Sequence, residues 1–209
     1  MKKILISVAV IVLVTGVTIG TLVLSNGLFS GSNDQKSVFD LSKDYGACTL
    51  LETSRIKSSL GEAAAELQSP QNMGIVSDVQ NGEGVESLES DSQICVYAFA
   101  PGATAENSYN SGNAFIVQKT IYTNPGGSEA EIVQIQEDPT SIKVNSLGDI
   151  AFYNASTATE GPGALYGFDL QVYRNNERTL YQIRQPAETA TFTAESARTA
   201  LTALAASTE

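Results

Sequence analysis

The chain has 209 residues, with 12 Lys and Arg against 23 Asp and Glu and no histidine. Its net charge of −11 repels polyanions, which excludes nucleic acid as a partner. Without histidine, Ser–His and Cys–His catalysis are excluded, as are the commonest metal ligand and the side chain that titrates nearest neutrality.

Ile4 to Leu24 is an uncharged apolar run behind Lys2 and Lys3. About 20 helical residues cross a hydrocarbon core of ~30 Å, so residues 1–24 predict a transmembrane helix. Lysines are retained on the cytoplasmic side. The expectation is therefore a single-pass protein of the cell membrane, with its N-terminus in the cytoplasm and its C-terminal domain extracytoplasmic. A cleaved secretory signal is the alternative. Its apolar region is usually only ~7–15 residues long, and Ser25-Asn26-Gly27 makes a poor cleavage site. Gly16 and Gly20 form a G-x-x-x-G, a spacing that lets two membrane helices approach closely.

Residues 25–43 are small and polar and predict a flexible linker. Residues 44–209 suffice for one domain. Both cysteines, Cys48 and Cys95, lie in it, and an even count outside the cytosol reads as one disulfide. Two free thiols or a metal pair is the alternative.

Thr53 is placed to cap a helix over Ser54 to Leu60, closed by Gly61, with Leu51, Ile56 and Leu60 on its buried side. Residues 77–93 hold acids and few large apolar residues, which predicts a mobile acidic loop. Ser92 to Ala100 alternates as a strand, with Cys95, Tyr97 and Phe99 on one face. A Gly/Asn/Ser-rich turn from Pro101 to Asn113 leads to a second strand in which Phe115, Val117 and Ile121 share a face. Ser128 to Glu131 fits a capping box, and a helix to about Glu137 is expected to bury Ile132, Val133 and Ile135 or a subset. One or two short strands lie around Gly148. Asn175-Asn176 then marks a hairpin in which Phe168, Leu170 and Val172 point one way. A last helix, capped by Thr193, carries Ala197, Leu201 and Leu204 at helical spacing, with Phe192 stapled onto Ala197. The expected fold is α+β: an antiparallel β-sheet with three helices packed on it, preceded by one transmembrane helix.

Cys48-x-Leu50-Leu51, Gly61, Cys95-Val96-Tyr97 and Leu147-Gly148-Asp149-x-Ala151 together resemble a pattern of extracytoplasmic lipoproteins from actinobacterial cell envelopes. That resemblance implies an antiparallel α+β sandwich of the Mog1/PsbP kind with a non-enzymatic role. No cysteine follows the apolar run here, so the chain lacks the lipidated residue of that group.

Few constellations suggest chemistry. Ser54-x-x-Lys57 and Ser111-x-Asn113 match two of the three elements of penicillin-binding proteins, but Lys119-Thr120 continues with Ile121 instead of glycine. An envelope acyltransferase or hydrolase using Ser54 and Lys57 is therefore the alternative function. Asn81-Gly82-Glu83-Gly84 is faintly loop-like but lacks the ligand spacing of a calcium loop. Glu137-Asp138 reads as a surface pair. Tyr97, Tyr109, Tyr122, Tyr153, Tyr166, Tyr173 and Tyr181 either line a ligand groove or pack at the sheet. No catalytic, cofactor or metal site is expected. The favoured reading is a non-catalytic, membrane-anchored domain of the bacterial envelope that binds an envelope protein or a small ligand.

Overall fold

Alternation of residue type, not helix propensity, builds most of this molecule. The structure is a computed structural model that describes residues 43–82, 85–124, 126–158 and 163–209. All belong to one compact unit, residues 38–209. The predicted membrane helix over 1–24, with Gly16 and Gly20, and nearly all of the linker lie outside the described residues.

Seven strands form a single sheet in the order β1-β2-β3-β7-β6-β5-β4, with every neighbouring pair antiparallel. They are β1 (Gln71–Gly82), β2 (Val85–Ala98), β3 (Ala114–Tyr122), β4 (Ile142–Val144), β5 (Ile150–Ala158), β6 (Leu165–Arg174) and β7 (Glu177–Pro186). The chain runs β1 to β3 as one meander and β4 to β7 as a second. The two join where β3 meets β7, Val117 opposite Tyr181.

Opposite residues of an antiparallel pair point to the same face. One face therefore carries Cys95, Tyr97, Phe115, Val117, Phe168, Leu170, Val172, Tyr181 and Ile183, all buried in the main core. Helices α1 (Thr53–Leu60) and α4 (Ala194–Ala206) cover it. Ile56 and Leu60 of α1, and Ala197, Leu201 and Leu204 of α4, are buried there as their spacing predicts. Thr193 caps α4, its Oγ1 accepting from the Ser196 amide at 3.2 Å, and Phe192 packs on the core.

The expected fold is corrected on two counts. There are four α-helices among the described residues, not three. None of them is long and apolar enough to cross a membrane. The unforeseen helix, α2 (Ala105–Ser111), occupies the segment read as a turn. Thr104 Oγ1 caps it through the Asn107 amide at 3.2 Å, and Gly112 ends it in the left-handed conformation. Seven residues cannot sustain a helix in water; packing of Ala105, Ser108 and Tyr109 on the sheet does so.

Residues 77–93 are also corrected, from a loop to the paired arms of the β1–β2 hairpin, with Ser77 opposite Asp91. At Thr53 the expected cap is absent: Glu52 is the N-cap residue, without a side-chain bond. The predicted capping box at Ser128 is not formed either. Helix α3 (Gly127–Glu137) starts after Gly126, and Ser128 Oγ donates to the Asn175 carbonyl at 3.1 Å instead. Val133 is 53% exposed, so the apolar run of α3 is buried only in part.

The Leu147-Gly148-Asp149 motif proves to be a structural lock. Leu147 is buried, and Asp149 Oδ2 accepts from the Asn175 amide at 2.7 Å, holding the β6–β7 turn. Gly148 has φ 52°, and a Cβ there would sit 2.5 Å from the Tyr173 carbonyl oxygen. Gly148→Ala combines a left-handed alanine with a backbone clash and is expected to destabilise the domain by about 2 kcal/mol. Urea unfolding of the two proteins measures this, and an unchanged midpoint would contradict it.

Candidate functional site

The second face of the sheet is alternation's other product, and it is polar. In β6, Gly167, Asp169 and Gln171 alternate with Phe168, Leu170 and Val172; in β7, Arg178, Gln182 and Arg184 alternate with Thr179, Tyr181 and Ile183. Such a face normally meets water. Here α2 and α3 pack over it, so Gln118, Thr120, Asp169, Gln171 and Gln182 are all buried.

The two helices sit at opposite ends of the strands. Toward α2, Arg184 stacks on Tyr109, its guanidinium carbon 5.0 Å from the ring centre. Gly112, just after α2, packs on Leu165 at the start of β6. Toward α3, Arg178 pairs with Glu131 and donates to Thr120 Oγ1 at 3.1 Å, while the Tyr173 hydroxyl donates to Gln171 at 3.0 Å. The charges at that end are matched.

Asp169 lies between, two residues along β6 from Gly167 and two from Gln171. Gln182 Nε2 donates to its Oδ1 at 2.7 Å. Among the described residues no Lys or Arg comes within ion-pair distance of it, and none of the acids pairs with Arg184. Burial pushes the Asp169 carboxyl up to about 6, against the lowering effects of the Gln182 bond and of Arg184 and Arg178. Asn154 is directly opposite Asp169 on β5. Its Oδ1 is buried and meets no donor. Cross-strand partners of this kind hold their Cβ atoms ~5 Å apart, so the two acceptors share one small region. A row Ile116, Gln182, Asp169, Asn154 thus runs across the sheet from β3 to β5. It ends at Asn154, which is only half-buried, beyond the stretch of β5 paired with β4.

The residues singled out from the sequence lie elsewhere. Cys48 and Cys95 are bonded to each other, as expected. Ser54 and Lys57 share α1 but turn to other partners: Ser54 Oγ donates to Glu52 at 3.3 Å and Lys57 Nζ to the Ala65 carbonyl at 3.1 Å. Both sites are exposed, and neither lies on the polar face. Ser111 and Asn113 close the end of α2, far along the chain from Ser54 and on the opposite face of the sheet. Asp138 forms a surface turn with Thr140, its Oδ1 accepting at 2.8 Å from the amide. Among the described residues no group of three or more His, Cys, Asp or Glu is placed to hold a metal ion.

The tyrosines mostly pack. Tyr97, Tyr153, Tyr173 and Tyr181 are among the largest fully enclosed side chains or nearly so, and Tyr153 donates to the Ala194 carbonyl at 2.5 Å. Tyr109 stacks against Arg184 beside the central strip. A depression of about 90 Å³ on the other face is rimmed by the pairs Lys119–Glu177 and Arg174–Glu209, which match its charges.

No family model and no curated protein matches the chain. An X-ray structure of an uncharacterized protein from Mycobacterium smegmatis is similar over 78% of this chain and 99% of that one, at 11% identity and a TM-score of 0.31. Similarity at that level does not assign a function.

Proposed function

We propose that this chain is a non-catalytic binding domain of the bacterial envelope, working on the oxidising side, that takes an envelope component on the polar face of its sheet. The Cys48–Cys95 bond supports the compartment, since such bonds persist outside the reducing cytosol. The resemblance to actinobacterial lipoproteins in the Cys48, Cys95 and Leu147-Gly148-Asp149 motifs points the same way.

The observation that carries the binding reading is Asp169. It is a buried carboxyl without an ion-pair partner, set among amides and opposite an unpaired amide oxygen. Groups buried this way normally find partners within the fold. Here the one unmet acceptor of the pair, Asn154 Oδ1, suits a ligand. Ser156 lies diagonal to it on β5, but the chain has no histidine to activate a hydroxyl, and a lone acid among amides binds more readily than it transfers groups.

The test immobilises the full chain and its Asp169→Asn variant and challenges both with fractionated envelope extract. Retention of a component by the natural chain and not by the variant is the expected result. Equal retention by both, or acylation of Ser54 by a fluorescent penicillin, would overturn the reading.

A further inference from the structure

The two edges of the sheet are built differently. β4 is three residues long with the exposed Lys143 at its centre, and both features discourage further pairing. β1 has 12 residues and neither lysine nor proline. Its Gln71 end is covered, since Gln71 Oε1 accepts from the Ala105 amide of α2 at 2.9 Å. Its register is interrupted between Asn72 and Gly74 and again between Gln80 and Gly82. Between those points the pairing is unbroken, from Gly74 opposite Ile94 to Gln80 opposite Leu88.

Which backbone groups of this stretch are already used follows from β2. The Phe99 amide donates to the Asn113 carbonyl at 3.3 Å, and the Thr123 amide to the Glu89 carbonyl at 2.9 Å. These bonds flank a continuous β2–β3 register. Alternate residues of a strand direct N–H and C=O to opposite sides, so the odd-numbered residues of β2 bond β3 and the even-numbered ones bond β1. Carried across the register, Val76, Asp78 and Gln80 bond β2, while Ile75, Ser77 and Val79 turn their N–H and C=O groups outward. Among the described residues no further strand lies beyond β1.

Charge decides what can take that edge. From Ser58 to Gln118 the chain has no Lys or Arg, and the arms of the β1–β2 hairpin carry Asp78, Glu86, Glu89 and Asp91. Lys43 pairs with Asp91 at 3.6 Å. Glu89 is exposed and, among the described residues, pairs with no cation. A second copy of the chain would set like charges against one another across the new pair, which is unfavourable. A basic strand gains from the same acids.

We propose that the outward edge of β1, from Ile75 to Val79, takes an extended basic segment of a partner protein as an eighth strand. Main-chain bonds to Ile75, Ser77 and Val79 hold the guest, and its lysine or arginine side chains meet the acids of the hairpin. Strands lie ~4.8 Å apart, so the guest backbone is ~10 Å from β2, a gap that a lysine and a glutamate together span. This edge is separate from the polar face under α2 and α3, and its use does not depend on a ligand there.

Fluorescence anisotropy of labelled peptides titrated with the full chain tests this. A seven-residue peptide of alternating lysine and valine is expected to bind saturably at submillimolar concentration. Exchanging its lysines for glutamate removes the charge match, and exchanging its valines for proline removes backbone donors while keeping the charge. Each exchange should weaken binding by about tenfold or more. Ser77→Pro deletes an outward N–H and no bond to β2, a place where edge strands tolerate proline. It should also cost about tenfold, whereas Ser77→Ala, which loses only the hydroxyl bond to Asp91, should stay within about twofold. Absence of saturable binding at millimolar peptide overturns the proposal. Equal binding of the proline peptide reduces the contact to charge alone, and equal binding of the glutamate peptide removes the basic partner; either result overturns it. A Ser77→Pro chain that melts as the natural one does and binds unchanged overturns it too. If that variant fails to fold, the proline peptide decides. A dimer in sedimentation that Ser77→Ala keeps and Ser77→Pro dissociates would give the edge to a second copy and overturn the basic partner.

Discussion

Reduction of Cys48–Cys95 is expected to lower the unfolding free energy by about 4 kcal/mol. The bridge closes a loop of 47 residues in sequence, and the chain-entropy model assigns that figure to a loop of such length. Most of the effect lies in the unfolded state, which gains freedom once the bond is cut. The native segment before α1 keeps other ties: Gln93 Oε1 accepts from the Tyr45 amide at 2.8 Å and from the Ala47 amide at 3.1 Å. Reduced protein should therefore still fold, with a melting temperature roughly 10 °C lower for a domain of this size. Urea unfolding with and without dithiothreitol measures the difference. The urea slope should rise on reduction, because the freed chain exposes more surface. A loss below about 1 kcal/mol would show that the bridge constrains the unfolded chain far less than its span implies.

Sequence pattern was informative wherever one face of an element is apolar. The strands around Tyr97, Phe115 and Leu170 and the helix carrying Leu201 and Leu204 are spaced as they pack, and the Asn175-Asn176 hairpin forms with Asn175 at φ 51°. The Cys48–Cys95 pairing could be read from count and compartment alone. Two elements could not be read, for opposite reasons. The β1–β2 hairpin is built from Asp, Glu, Ser and Gly, which have little strand preference. Its order comes from the ladder to β3, such as Ser90 opposite Tyr122, which propensity does not report. Helix α2 has too few apolar residues to show a stripe, although Thr104 and Gly112 bracket it with proper caps.

The candidate site was hidden by a different ambiguity. A polar set at alternate strand positions reads as a solvent face, and Gly167, Asp169 and Gln171 fit that reading. Only tertiary packing of α2 and α3 encloses them. The missed signal was available in weak form: a single acid sits between Phe168, Leu170 and Val172 in a strand that is otherwise largely apolar. Whether helices cover both sides of a sheet is a property of topology, and strand order β3-β7-β6 is set by long-range pairing.

Asp169→Asn is expected to stabilise the folded chain by about 3 kcal/mol at pH 7.5, the converse of what loss of a hydrogen-bonded core residue does. The reasoning runs through protons. Burial raises the folded carboxyl to about 6, above its ordinary 3.8. Between those values the folded state holds a proton that the unfolded state has lost. Stability therefore falls as pH rises from about 4 to 6, and above 6 the ionised carboxylate carries the full penalty. Each unit of displacement corresponds to about 1.4 kcal/mol, hence the size of the effect. Asparagine keeps an oxygen for Gln182 Nε2 and carries no charge. The gain should therefore vanish below about pH 4, where Asp169 is neutral in both states. Chemical unfolding of the two proteins at pH 3.5 and 7.5 provides the check. A variant less stable at pH 7.5, or a gain independent of pH, would mean that the fold needs the carboxylate. The expected sign bears directly on function. A buried charge that weakens the fold at neutral pH is not there for stability, and one substitution would relieve it. A carboxylate held at that cost, opposite an amide oxygen without a donor, is the observation on which the proposed binding face rests.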